Sequence, residues 1–143
     1  MQTRKLSAAT IVQVVVAIAF AVGVLTFAGP CGVHDDGSVS PCFGTSRILA
    51  ALGFSAALLS AVRLLVGNAS VRLVLDVAVG VIGISIATAP GGFLALCMMA
   101  TMRCHTVMRP FAIVAGVALA VAAMADVARV LRERSNSNRT SRR

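Results

Sequence analysis

Tryptophan and tyrosine are absent from this 143-residue chain. That excludes the interfacial aromatic belt that anchors many transmembrane helices, and leaves six Phe and several Arg to take its place. Charge is scarce too. Charged residues make up 13% of the chain, against about 25% in a soluble domain. Acid is scarcest of all, with five Asp and Glu against thirteen Lys and Arg. Neither Cys-x-x-Cys nor Cys-x-x-Cys-His occurs among the four cysteines, which removes the usual dithiol redox and haem-attachment motifs. No phosphate loop, nucleophile–base arrangement or pair of catalytic carboxylates is recognisable. The expectation is a protein that is not an enzyme.

What remains is apolar. Hydrophobic residues account for 58% of the chain and the mean hydropathy is +0.92. Four long apolar runs, at about 8–29, 47–66, 71–96 and 109–131, each approach the roughly 20 residues needed to span a hydrocarbon core. The first could be read as a signal peptide, but it is too long for an h-region and Pro30 stands where cleavage wants a small residue. The predicted fold class is therefore all-α, an integral membrane four-helix bundle in residues 1–131, followed by a disordered basic tail at 132–143. Pro90-Gly91-Gly92 predicts a kink or an early end in the third helix. Gly80, Gly83 and the stripe Ala112, Gly116, Ala120 offer close helix contact. Ser70 reads as an N-cap, as does Thr45 or Ser46.

Positive charge sets the expected orientation. Arg4, Lys5, Arg63, Arg72, Arg129, Arg132, Arg134, Arg139, Arg142 and Arg143 fall on the side of the termini, and only Arg47, Arg103 and Arg109 on the other. The positive-inside rule then places both termini in the cytoplasm and loops 30–46 and 97–108 outside the cell membrane. Two glycosylation-like triplets, at Asn68 and Asn138, fall on the cytoplasmic side and are discarded. The basic residues sit at helix ends and in a tail, so the expected partner is the lipid bilayer and not nucleic acid. A membrane protein partner or a second copy is the other expected contact.

All four cysteines lie in or beside the outer loops: Cys31 and Cys42 at the first, Cys97 and Cys104 at the second. The chain thus reads as two helix–loop–helix repeats related by an axis along the membrane normal. Disulfides are the first reading for these residues, on the oxidising side of the membrane. Within-loop and cross-loop pairings both remain open, and closing loops this short is worth about 3 kcal/mol each. The second reading is copper, since thiolate and thioether select Cu(I). Met98, Met102, Cys104 and His105 are its candidate ligands. Thiol redox exchange is a third reading, with Arg103 or His105 beside Cys104. The membrane-embedded charges are Arg63, Arg72, Asp76, Asp126 and Arg129. Arg63 is expected to snorkel, Arg72 to pair with Asp76, and Arg129 with Asp126 and Glu133.

Gly-Pro-Cys at 29–31, Pro-Cys-x-x-Thr at 41–45, Thr-x-Pro at 88–90 and Met-x-Cys-His at 102–105 resemble a family of small bacterial membrane proteins, domain of unknown function 4418. The resemblance spans roughly residues 10–131. Both loops of that family tend to carry Cys-His, whereas here the first has Cys42-Phe43 with His34 nearby. The resemblance implies a four-helix integral membrane protein associated with ABC-type export systems, without an assigned activity. An accessory role in a larger membrane assembly is the expected function, with copper binding or thiol redox as the alternative.

Overall fold

The structure is a computed structural model that describes residues 8–28, 41–94 and 104–140. Four α-helices carry the fold: α1 (Ala8–Leu25), α2 (Pro41–Leu65), α3 (Ala69–Thr88) and α4 (Arg109–Thr140). A single π-helical turn, Cys104–Met108, leads into α4. Among the described residues there is no strand, only one isolated bridge between Pro90 and Leu94. The helices close a ring of neighbours: α1 with α2, α2 with α3, α3 with α4, and α4 with α1. That ring is compatible with the expected bundle.

Three segments are long and apolar enough to cross a membrane: Phe43–Leu65, Ala69–Thr88 and Cys104–Arg132. The first helix is a shorter apolar segment. Large apolar side chains point outward from every helix, including Val15, Phe54, Leu58, Val74, Val81, Val114 and Val121. The inside mixes small and large: Ala17, Ala21, Ala56, Ala89, Ala112 and Ala123 are buried beside Phe20, Leu49, Ile86, Met108 and Leu119. So large an apolar outer surface suits lipid rather than water. In lipid, where outer apolar groups lose nothing, close packing of small residues brings helices together.

The tightest contact is between α3 and α4. A Cβ on Gly83 would lie 2.8 Å from the Gly116 carbonyl, and one on Gly116 would lie 2.7 Å from the Ala87 nitrogen. Only glycine lets the two backbones meet at that distance. The stripe Ala112, Gly116, Ala120 is therefore spent inside the molecule. Phe111 joins α4 to α1, stacking on Phe20 with 5.6 Å between ring centroids and meeting Phe27 edge-on at 5.2 Å.

Several boundaries differ from those expected. α2 begins at Pro41, six residues early, because proline is compatible with a first helical turn. Thr45 and Ser46 are consequently buried within α2 rather than capping it, and the Ser46 hydroxyl donates to the Phe43 carbonyl. Asn68, not Ser70, caps α3: its side chain accepts from the Ser70 amide at 2.9 Å. α3 ends at Thr88, ahead of Pro90, and Gly91 takes a positive φ of 83° in the turn that follows. Residues 104–108 are helical rather than loop. α4 runs on to Thr140, through most of the expected disordered tail. Residues 132–140 contain no Gly or Pro to stop a helix already under way.

Candidate functional site

The described part of the cysteine-rich end is small. Cys31, Cys97, Met98 and Met102 lie outside the described residues. Cys42 falls in the first turn of α2. Cys104 and Met108 are completely buried on the π-helical turn, with His105 between them half-buried. Among the described residues, no group of three or more His, Cys, Asp or Glu is placed to hold a metal ion.

The opposite end, near the short connection at residues 66–68, holds a buried polar layer. Arg63 on α2 is its centre, and does not snorkel. Its Nε lies 2.9 Å from Asp76 Oδ1 on α3. One terminal nitrogen lies 2.5 Å from Asp126 Oδ2 on α4 and donates to Thr10 Oγ1 on α1 at 2.7 Å. One guanidinium thus ties its own helix to the other three. The two carboxylates are 0% and 1% exposed and Arg63 is 8% exposed. Asp76 sits seven residues into α3, about 10 Å along its axis.

The planar guanidinium explains why arginine occupies this place. It presents several donors in a fixed fork, so a single side chain serves partners in different directions. Of the local pairs expected from helical spacing, Arg72 with Asp76 gives way to this arrangement and Arg129 with Asp126 is kept. Arg72 Nε instead donates to the Val66 carbonyl at 2.7 Å, fastening the connection between α2 and α3. Arg129 does reach Asp126, at 3.4 Å from Oδ1, but its side chain is 60% exposed and stands at the rim. The Glu133 side chain lies outside the described set.

Three further members were not singled out by sequence: Thr10, Gln13 and Ser60, all buried. Their signal was present as spacing. Thr10 and Gln13 are one turn apart in an otherwise apolar run, and so are Ser60 and Arg63. Hydropathy reads each as a tolerated polar residue, because nothing in one helix says that its polar face meets that of another.

A family profile, the domain of unknown function DUF4418, matches residues 13–128. The chain belongs to this family. No curated relative and no solved structure matches it. The matched span of this DUF4418 protein begins at Gln13 and takes in Ser60, Arg63, Asp76 and Asp126, so nearly all of the buried layer lies within the family domain. Cys31, Cys42, Cys97 and Cys104 lie within it as well.

Proposed function

We propose that this DUF4418 protein is a non-enzymatic accessory component of a larger, exporter-type membrane assembly. Its termini face the cytoplasm, and disulfides tie its extracytoplasmic loops. The observation that supports the reading is the outer face of α4. Val114, Val117, Ala118, Val121, Ala122 and Ala125 form an open, apolar face there. This face is distinct from the Ala112, Gly116, Ala120 stripe that packs against α3. Its small residues, four and three positions apart, let another transmembrane helix approach closely. The occupant we assign is an apolar helix of a partner protein.

Purification of the full chain in mild detergent tests this. A second polypeptide is expected to co-migrate with the native protein and to be lost in Ala118→Leu and Ala122→Leu, whose own folding remains intact. A strictly monomeric native protein overturns the reading, and self-association alone would make the occupant a second copy.

The alternative is an extracytoplasmic copper or thiol-redox protein. What favours it is the burial of Cys104 and Met108 one helical turn apart, next to His105. Native mass spectrometry with thiol alkylation separates the two. The preferred reading expects no labelled cysteine before reduction, four after it, and no metal retained. Retained copper with alkylatable thiols would favour the alternative.

A further inference from the structure

The end of the molecule that holds the Arg63 layer carries a surplus of positive charge. Arg63, Arg72, Arg129 and Arg132 lie there on the described helices, against the two acids Asp76 and Asp126. Glu133 and Arg134 follow at once and cancel in formal charge. Both aspartates are engaged: Arg63 meets the two of them, and Arg129 shares Asp126 from the rim. Among the described residues neither Arg72 nor Arg132 joins a salt bridge. Arg72 is half-buried and Arg132 is exposed.

The packing of α3 on α4 brings these groups to one height. The two helices run antiparallel, with Gly83 against Ala120 and Gly80 against Ala123. Asp76 and Asp126, on the same guanidinium, continue that register. Two turns on from Gly80, Arg72 stands level with Leu131, within about 3 Å along the axis of both Arg129 and Arg132. That height is the edge of the hydrocarbon. The last apolar span ends at Arg132, and Leu131 is its final apolar residue. α4 nevertheless stays helical to Thr140, about 12 Å further. Residues 132–140 carry no apolar side chain to sink into the bilayer. The extension therefore passes through the headgroup layer, and the arginines at its base face that layer.

The anion at hand in such a place is a lipid phosphate. The planar fork of arginine matches phosphate with two parallel hydrogen bonds, which an ammonium cannot do. A zwitterionic headgroup brings its own cation and leaves the surplus as it was. An anionic headgroup neutralises it.

We propose that the rim formed by Arg72, Arg129 and Arg132 binds the headgroup of an anionic phospholipid. The contact anchors α3 and α4 at this membrane face, in a chain that has no Trp or Tyr to do so. It rests on the membrane-spanning reading and is independent of the partner assigned to the outer face of α4.

Lipid titration of the full-length protein in mild non-ionic detergent tests the site, read by native mass spectrometry and thermal unfolding. Phosphatidylglycerol is expected to be retained and to raise the transition temperature saturably by about 3 °C or more, and phosphatidylcholine to do neither. Arg132→Gln should weaken phosphatidylglycerol binding about fivefold, and adding Arg72→Gln should weaken it again by a similar factor. Arg47→Gln, at the opposite end, should leave it unchanged. Raising sodium chloride from about 0.1 to about 1 M should release the lipid. Equal binding of the two lipids overturns the proposal, as does binding that Arg132→Gln leaves unchanged. Inorganic phosphate that alone produces the same rise overturns the lipid assignment. An oligonucleotide that binds more tightly than phosphatidylglycerol overturns it in favour of nucleic acid.

Discussion

Arg63→Met is expected to destabilise the protein by about 3–5 kcal/mol, the usual effect of removing one partner from a buried ion pair. The variant leaves Asp76 and Asp126 facing each other inside the molecule with no guanidinium between them. Denaturant unfolding in detergent, followed by circular dichroism, measures the loss. Arg63→Lys should recover only part of it, because an ammonium is a point charge and cannot hold partners on three other helices at once. The informative companion is the triple replacement Arg63→Met, Asp76→Leu, Asp126→Leu. Replacing a whole buried charge cluster by apolar groups is often neutral or stabilising. A triple variant near native stability, beside a crippled single one, would mean that the layer is kept for what it does and not for the strength of the fold. A triple variant as unstable as the single would assign it a structural role.

Gly116→Val should be the most damaging substitution in the small-residue contact. Its first added carbon would stand 2.5 Å from the Gly83 carbonyl oxygen and 2.9 Å from the Ala87 Cβ. Backbone atoms cannot step aside as the end of a side chain can, so α3 and α4 must separate. Overpacking of this kind costs about 1–3 kcal/mol and at times more. Gly80→Ala is the control on the same interface, because its new carbon would meet Ala123 Cβ at an ordinary 3.5 Å. The transition temperature should fall clearly for the first and hardly at all for the second. Comparable losses in both would show that helix propensity or a global effect, and not the close approach of Gly83 and Gly116, sets the tolerance.

The all-helical architecture was legible because lipid imposes length. Runs of about 20 apolar residues have few other uses, and proline with glycine marks where they stop. The close approach of Gly83 to Gly116 could be read for a similar reason, since small residues at three- and four-residue spacing serve helix contact. Helix ends were less legible. Pro41 looked like part of a loop because its neighbours are polar, yet its ring suits a first turn. The tail at 132–140 looked disordered by composition, and composition does not register that a helix already formed extends cheaply.

The buried layer was legible only in pieces. Arg72 and Asp76 are four apart, so helical spacing pairs them, and nothing within α3 reveals that Arg63 on α2 lies nearer. Thr10 is separated from its partner Arg63 by more than fifty residues of sequence, and its meaning depends on the register between helices. At the cysteine-rich end the reading rests on sequence: Cys104, His105 and Met108 are placed by the structure, and the candidate ligands Met98 and Met102 fall outside the described residues.

The charges of the buried layer are divided unevenly along the chain. The pair α1 and α2 carries the buried cation, Arg63, and the pair α3 and α4 carries both buried acids, with Arg129 on α4 reaching Asp126 from the rim. If the chain enters the membrane one helical pair at a time, the first half waits in lipid with an unmatched positive charge until the second arrives. Each half is then conspicuous alone and acceptable only beside the other, a basis for cellular surveillance to remove incomplete chains. The two halves expressed as separate polypeptides should accordingly be short-lived singly and persist together.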